Sequence, residues 1–447
     1  MTPVHVHRLV YMSAGFVGGK NAAAQPVLVF GAWRTVLGTI RCLRRAGHAP
    51  LVVTDPGQMV RRSRFFRAAP PSRDGADPQR NLTAYLEGLP LERAVLLPCS
   101  DDWTLAISRL SPELSDRFPA SVARPAVLER LVDKWQLAEA MRDAELPHPR
   151  TVPINARTNP ADIPDEILSG AFIKPTDSAR FQHKFGVKAF RVSSRVQLAE
   201  RLAIIAPTGM KVELQEYIPG PASNHYFVDG FIDRAGRPSG LFARRRLRMY
   251  PADFGNSTFM ESVSLAAVPD AVSIVTRLLH HVGFRGVFSA ELKRDARDGG
   301  FRLIEVNVRP WWYVEFAAQC GVNVCDMAVR DALGAAVPPP PRYATGKRSA
   351  LPYYDYFAWR AVHPSALSLG RLAASWMLAK QPVFSWSDPW PAVAATGEVL
   401  GGWLVNRLRR SRGPAKTSGR VAPRLTPSGG FSAQHLVDFP SVAAPTP

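Results

Sequence analysis

Cysteine is scarce in this chain of 447 residues. The four cysteines are Cys42, Cys99, Cys320 and Cys325. Their small number and irregular spacing exclude a disulfide framework and give no pattern of zinc ligands. Because free thiols are typical of reducing compartments, the expected location is the cytoplasm.

Long apolar runs are also missing. No window reaches the roughly 18 uninterrupted apolar residues that indicate a membrane-spanning helix. Residues 1–25 contain no secretory hydrophobic region followed by a cleavage site, and we expect a flexible N-terminus there. A hydrophobic share of 46% and a charged share of 21% are typical of a soluble globular protein, and the length allows about three domains.

Acidic residues are the third deficit. The chain has 37 Asp and Glu against 56 Lys and Arg, which gives a formal net charge of +19. Nucleic acid, an anionic membrane surface or an anionic substrate such as a nucleotide would each fit this excess. Residues 341–447 hold 13 of the basic and 4 of the acidic residues, so about half of the excess lies there. The charge alone does not identify the partner.

A glycine-rich fingerprint is absent from the first strand–helix unit. Residues 26–31 are typical of a buried parallel strand, followed by a helix over 34–46 and strands over 50–54 and 94–98. These units predict a small doubly wound, Rossmann-like domain over 26–124. The single glycine after the first strand falls short of G-x-G-x-x-G, which argues against a nicotinamide cofactor.

Residues 125–335 have the pattern of helices combined with antiparallel strands. A predicted helix, Leu128–Glu145, carries Lys134, and a predicted strand, Ala171–Pro175, reaches Lys174 just before its proline. An apolar strand seldom ends in lysine unless the side chain faces a cleft. Residues 177–186 are predicted to form a polar loop.

The C-terminal part begins with a proline-rich linker and contains two amphipathic segments, Leu369–Lys380 and Pro391–Arg410. We therefore predict a helical extension over 336–410 and a disordered tail over 411–447. The basic end of the second segment would suit an anionic membrane surface. Packing on the body is favoured, because the amphipathic character of the segment is modest.

A predicted hairpin, 286–295 and 301–309, carries the most informative polar residues. An Asp-Gly-Gly turn joins its strands. If the polar faces coincide, Glu291 lies opposite Glu305 and Asn307, with Arg309 beside them. Carboxylate and amide oxygens suit a hard cation such as Mg²⁺. The alternative is a solvated strand face, which is common in antiparallel sheets.

These residues together resemble the ATP-grasp superfamily, and within it the carboxylate–amine ligases. The resemblance covers about 26–335 and is sharpest over 130–310. The motifs, in chain order, are Asp133-Lys134, Phe172-Ile173-Lys174-Pro175, Leu214-Gln215-Glu216-Tyr217-Ile218-Pro219-Gly220, Gly283-Phe284-Arg285-Gly286 with Glu291, and Glu305-Val306-Asn307-Val308-Arg309-Pro310.

The resemblance implies a Rossmann-like domain followed by a two-lobed ATP-grasp domain with antiparallel sheets. It implies that Lys134 and Lys174 bind phosphate, that Arg309 stabilises an acyl phosphate, and that Lys174 and Arg309 are catalytic. The implied adenine-binding hinge is Gln215, Glu216, Tyr217 and Ile218, and the implied metal ligands are Glu291, Glu305 and Asn307. The implied cofactors are ATP and one or two Mg²⁺, with Mn²⁺ as a substitute.

The implied reaction joins a small carboxylate to an amine and releases ADP and phosphate. The sequence departs from the usual pattern of the family in the loop that covers the phosphates and on the substrate side. The segment Thr176–Lys188 has only Gly186 where relatives often have a glycine-rich loop. Arg244, Arg246 and Arg248 share one strand face, which either lines the cleft and holds an anionic substrate or faces solvent. Trp311, Trp312 and Tyr313 form either a wall of the acceptor pocket or part of the core.

Two other functions fit the sequence. One is a non-catalytic basic protein that binds a membrane surface or nucleic acid on an ATP-grasp scaffold. The other is an ATP-grasp enzyme that acts on a carrier or a polymer end. No specific nucleic acid is predicted.

Overall fold

The computed structural model describes residues 25–155, 157–168, 170–176, 178–251, 255–339, 342–362 and 369–397. The expectations for a flexible N-terminus, for the tail over 411–447 and for most of the segment 391–410 concern residues outside these ranges.

Thirteen strands in the described residues form three sheets. They are β1 (Pro26–Phe30), β2 (Ala49–Val52), β3 (Val95–Pro98), β4 (Thr151–Ile154), β5 (Ala171–Pro175), β6 (Phe190–Val192), β7 (Val212–Glu216), β8 (His225–Ile232), β9 (Pro238–Tyr250), β10 (Asn256–Val263), β11 (Gly286–Arg294), β12 (Phe301–Asn307) and β13 (Arg348–Ala350).

The described helices surround these sheets. They are α1 (Trp33–Arg45), α2 (Gln58–Arg61), α3 (Leu82–Glu87), α4 (Asp101–Ser108), α5 (Pro112–Arg117), α6 (Pro125–Val132), α7 (Lys134–Asp143), α8 (Asp165–Leu168), α9 (Ser178–Phe185), α10 (Arg195–Ile205), α11 (Pro269–His281), α12 (Val314–Cys320), α13 (Val324–Ala332), α14 (Pro352–Val362) and α15 (Leu369–Met377).

The first sheet is parallel, with strand order β2-β1-β3. The apolar residues of β1 and β3 are buried on both sides, as in other sheets covered by helices. The glycine after β1 serves packing, because a Cβ added to Gly31 would lie 2.9 Å from the Cβ of Cys99. All four cysteines are buried and free, in agreement with the predicted absence of disulfides.

The other two sheets form the body that the resemblance implied. A four-stranded sheet has the order β4-β7-β5-β6 and pairs only antiparallel neighbours. A six-stranded sheet has the order β12-β11-β8-β9-β10-β13, also antiparallel. The predicted combination of a Rossmann-like unit with two antiparallel sheets is therefore confirmed as the fold class.

Two local predictions are wrong. The helix predicted over Leu128–Glu145 is two helices, because Asp133 ends α6 and its carboxylate accepts a hydrogen bond from the Gln136 N–H at 3.0 Å, capping α7. The loop predicted over 177–186 contains α9, since Phe181 and Phe185 lie one turn apart and their rings pack at 4.6 Å.

The C-terminal extension packs on the body through two buried aspartates. Asp355 in α14 accepts hydrogen bonds from Arg248, Thr258 and Trp376, which ties α14 and α15 to β9 and β10. Asp388 accepts from Arg41 of α1 at 3.0 Å and from Ser63 at 2.6 Å. The extension therefore contacts both the parallel sheet's helix and the six-stranded sheet.

The start of the predicted segment 391–410 is helical as far as residue 397, and Ala395 packs on a buried core cluster. Among the described residues, no helix is long and apolar enough to cross a membrane.

Candidate active site

A cleft of about 460 Å³ lies between the four-stranded and six-stranded sheets. Every residue that the resemblance implied for binding nucleotide or metal or for catalysis lines this cleft. These residues are Lys134, Lys174, Gln215, Glu216, Tyr217, Ile218, Glu291, Glu305, Asn307 and Arg309. The four-stranded sheet and the start of α7 supply the lysines and the hinge, and the hairpin β11–β12 supplies the acidic patch.

The two predicted metal-binding carboxylates are direct neighbours across the hairpin. Glu291 pairs in register with Glu305, and Ser289 pairs with Asn307. A register shift follows immediately, between Glu291 and Leu292. The alternation of polar and apolar residues therefore places the predicted ligands on one strand face.

Glu291 is held in place by two cationic or polar partners. One oxygen, Oε1, lies 2.7 Å from His225 Nδ1 and 3.1 Å from Arg246 Nη2. Burial opposes ionisation, but Arg246 and the His225 hydrogen bond outweigh it and hold the pKa of Glu291 well below its usual range. Glu291 is thus a charged oxygen donor, which suits a hard cation.

Glu305 is exposed to the cleft and has no hydrogen-bond partner among the described residues. The Asn307 amide oxygen accepts from Arg309 Nη2 at 2.8 Å, and Arg309 Nε donates to Asp101 Oδ2 at 3.2 Å. Asp101 begins α4, so the parallel-sheet domain orients the arginine that the resemblance makes catalytic.

The oxygen donors at this patch fit Mg²⁺, which prefers carboxylates, amide oxygens and phosphate oxygens. No group of three His, Cys, Asp or Glu side chains arranged to hold a metal occurs in the described part of the chain. A metal at Glu291, Glu305 and Asn307 would therefore take its remaining ligands from phosphate and water, as is usual for Mg²⁺ at a nucleotide.

Three lysines line the cleft with the acidic hairpin. Lys174 donates to the Gln215 side-chain oxygen, and Lys134 Nζ lies 2.5 Å from the carbonyl oxygen of Pro175. Lys188 also lines the cleft. Burial lowers the pKa of Lys174 and of Lys188, while the carboxylates of Glu291 and Glu305 act in the opposite direction.

The hinge leaves one main-chain donor open. The Tyr217 N–H donates to the Gly170 carbonyl at 2.7 Å, whereas the Ile218 N–H has no acceptor among the described residues. The Glu216 carboxylate faces away to Arg297 at 2.6 Å and Arg150 at 3.4 Å. The Gln215 side chain accepts from Lys174. The Ile218 N–H is therefore the hinge donor that is available to a ligand.

The three arginines of β9 that were predicted to share one face have different partners. Arg244 forms a buried pair with Asp229 at 2.7 Å, and Arg246 reaches Glu291 and the Ser257 hydroxyl. The prediction that Arg248 lines the cleft is wrong, because Asp355 of α14 binds it at 2.5 Å. The pairing of β9 with β10 shifts register around Phe259, where Arg248 departs from the face that Arg244 and Arg246 share.

The aromatic residues after β12 close one end of the cleft. Trp311, Trp312 and Tyr313 all line it, and the Tyr313 hydroxyl donates to the Ser257 carbonyl. The indole N–H of Trp311 is buried without an acceptor among the described residues. A ligand with an oxygen at this end would satisfy that donor.

Three residues of this site were not predicted. His225, Lys188 and Asp101 come from different segments, and each reaches the site only through folding. The first is the residue that begins β8, whose register with β11 places it near Glu291. A polar residue at the end of an apolar strand was the available signal for His225, as it was for Lys174.

Comparison with known proteins gives a curated relative and solved structures of similar fold. No model of a known protein family matches the chain. A D-aspartate ligase of Enterococcus faecium is 24% identical over 254 residues, which are 54% of this chain and 59% of that protein. The chain thus spans about three fifths of the length of this curated relative.

Three solved structures of enzymes share the fold. An L-amino acid ligase from Bacillus licheniformis superposes with a TM-score of 0.51 at 12% identity, covering 73% of this chain and 79% of that one. For an N5-carboxyaminoimidazole synthetase from Staphylococcus aureus complexed with ADP, the TM-score is 0.54, the identity 12% and the coverage 74% and 82%. For a biotin carboxylase–nucleotide complex from Campylobacter jejuni the corresponding values are 0.53, 14%, 73% and 74%. The chain has the ATP-grasp fold, as its motifs over 130–310 predicted.

Proposed function

We propose that this protein is an ATP-dependent ligase that activates a carboxylate as an acyl phosphate and couples it to an amine. The observation that carries the proposal is the pairing of Glu291 and Glu305 across one hairpin, facing Lys134 and Lys174 across the cleft. Phosphoryl transfer needs this combination of oxygen ligands for a metal and fixed positive charge for phosphate. The ADP in a solved relative with the same fold supports it.

The nucleotide would bind with its adenine at the hinge and its phosphates toward the lysines. The open Ile218 N–H supplies a donor for a ring nitrogen, and Lys134 and Lys174 replace water around phosphate oxygens. A bound Mg²⁺ would neutralise the charge that develops during phosphoryl transfer. Lys174 belongs to β5 and Lys134 to the first turn of α7, and Ile218 lies two residues after the end of β7.

The chemistry has two steps. A substrate carboxylate oxygen attacks the γ-phosphorus and the bond to ADP breaks, which gives an acyl phosphate. The amine nitrogen then attacks the acyl carbon, phosphate leaves and the nitrogen loses a proton. Arg309 donates to the oxygens that carry charge in both steps, and its contacts with Asn307 and Asp101 hold it at this position.

We further propose D-aspartate as the first acid to test. The Enterococcus faecium relative is a D-aspartate ligase, and the aromatic end of the cleft offers Arg246 and the buried Trp311 N–H to an anionic group. The experiment measures Mg²⁺-dependent ADP release with a panel of D- and L-amino acids and amine acceptors. Absence of ADP release and of Mg²⁺-dependent ATP binding would refute the ligase and favour a non-catalytic binding protein.

Replacing Lys174 with methionine is expected to raise the KM for ATP by roughly tenfold or more, because a buried charge that faces phosphate is removed. Lys211, which is exposed near the same sheet, provides the control, and Lys211→Met should leave the KM unchanged. Steady-state kinetics with ATP as the varied substrate measures both. Equal effects of the two substitutions would contradict the assigned role of Lys174.

A further inference from the structure

A loop in the C-terminal extension displays apolar side chains to solvent. Trp386 is 91% exposed, and Trp390 and Val393 beside it are 61% and 58% exposed. We call residues 382–393, which are a loop that continues into the helix over 390–397, the tryptophan loop. Large apolar groups are normally covered unless they serve an interaction, and burying one tryptophan stabilises a complex considerably.

The tryptophan loop is rigidly supported. Arg41 donates to the carbonyl oxygens of Pro382 at 3.1 Å and Val383 at 3.0 Å, and it also binds the buried Asp388. The ring of Phe384 packs on Trp386 with 4.9 Å between centroids. Hydrogen bonds from Arg41 hold both ends of residues 382–388. Trp386 is therefore exposed in a defined conformation of the loop.

A cluster of arginines adjoins this loop. The Arg64 N–H donates to Asp388 at 2.9 Å and its side chain to the Ser387 carbonyl at 3.1 Å. Arg62 and Arg67 in the same segment are exposed and have no ion-pair partner among the described residues, whereas Arg61 pairs with Asp55. Arg64 therefore places positive charge against the tryptophan loop, and Arg62 and Arg67 lie close to it in the chain.

The charge of the extension has one sign at its surface. In the described residues from 342 to 397, the two acids are Asp355 and Asp388, and both are fully buried. The basic residues of this stretch are all exposed: Arg342, Lys347, Arg348, Arg360, Arg371 and Lys380. A surface that combines exposed tryptophan with exposed basic side chains complements an anionic bilayer.

We propose that the tryptophan loop and the adjoining arginines dock this protein on an anionic lipid surface. The indoles would enter the headgroup region, where tryptophan is preferred, and Arg62 and Arg67 would lie near lipid phosphates. A second copy is a poor occupant, because a two-fold interface would bring the same cations face to face. Nucleic acid explains the arginines but leaves Trp386 and Val393 without a partner.

The test is co-sedimentation of the full-length protein with vesicles of phosphatidylcholine alone or mixed with phosphatidylserine. We expect binding only to the mixed vesicles and weaker binding at high salt. The double variant W386A/W390A should lower the partition coefficient by roughly tenfold or more, and R62Q/R67Q by a similar factor. V196A/I204A, which removes two exposed apolar groups from α10, is the matched control and should bind like the wild type.

Circular dichroism and ADP release monitor folding of each variant, and the arginine pair tests the surface even if the tryptophan pair folds poorly. Three results would overturn the proposal: no binding of the wild type to mixed vesicles, equal binding of all variants, or binding to duplex DNA without binding to vesicles. A dimer in sedimentation velocity that W386A/W390A converts to monomer, without lipid binding, would assign the surface to self-association instead.

Discussion

Replacing Glu305 with alanine is expected to lower Mg²⁺-dependent ADP release by roughly a thousandfold or more, since a metal ligand at the transferred phosphate is lost. The substitution is a clean test of chemistry, because Glu305 is exposed and has no hydrogen-bond partner among the described residues. Folding stability should therefore stay within about 0.5 kcal/mol of the wild type. Initial rates at saturating ATP and a thermal unfolding curve measure the two quantities.

Glu200 is an exposed carboxylate on α10, and Glu200→Ala is the control that should retain full activity. Glu291→Gln is less clean, because it removes the negative charge that Arg246 and His225 share as well as a metal ligand. Normal ADP release by Glu305→Ala would show that the hairpin's acidic face does not hold the metal. The proposal would then need a different phosphate site.

Replacing Arg41 with methionine is expected to reduce the free energy of unfolding by about 3–5 kcal/mol, because it leaves the buried Asp388 without a counter-charge and Glu315 with only Arg45 at 3.8 Å. Arg41 is paired with Glu315 at 3.2 Å and with Asp388 at 3.0 Å, and its side chain is 3% exposed. Burial already raises the pKa of Glu315 despite Arg41, so loss of the arginine would add to that penalty.

Equilibrium unfolding in urea measures this change. Arg44 lies on the same helix, is exposed and donates only to the His48 carbonyl among the described residues. Arg44→Met should therefore change stability by less than about 0.5 kcal/mol. A loss below about 1 kcal/mol for Arg41→Met would mean that the buried cluster adds little to stability, as some buried ion pairs do.

The sequence predicts the site best where the alternation of polar and apolar residues matches the two-residue repeat of a β-strand. Alternation in 286–309 predicted that Glu291 and Glu305 share a face, and their register bears this out geometrically. Lys174 was noticed because lysine is unusual at the end of an apolar strand. These inferences needed only strand geometry and the chemistry of side chains.

Long-range contacts could not be predicted in the same way. Arg248 alternates with Arg244 and Arg246, yet α14 brings Asp355 to it from more than a hundred residues away. Nothing local distinguishes a strand arginine that faces a cleft from one that meets a later helix. The cap at Asp133 and the paired phenylalanines of α9 are local signals, which capping rules and i,i+4 spacing make readable in the sequence.

The two buried aspartates of the extension also have a mechanical consequence. Asp388 binds the extension to α1, and Asp355 binds it to β9 and β10. The extension therefore links the parallel-sheet domain to the six-stranded sheet. Among the described residues, no comparable link joins the extension to the four-stranded sheet. That sheet contacts the hairpin at the hinge, where Glu216 pairs with Arg297. We therefore expect the four-stranded sheet to move when the cleft opens to nucleotide. The extension holds the parallel-sheet domain and the six-stranded sheet together during this motion.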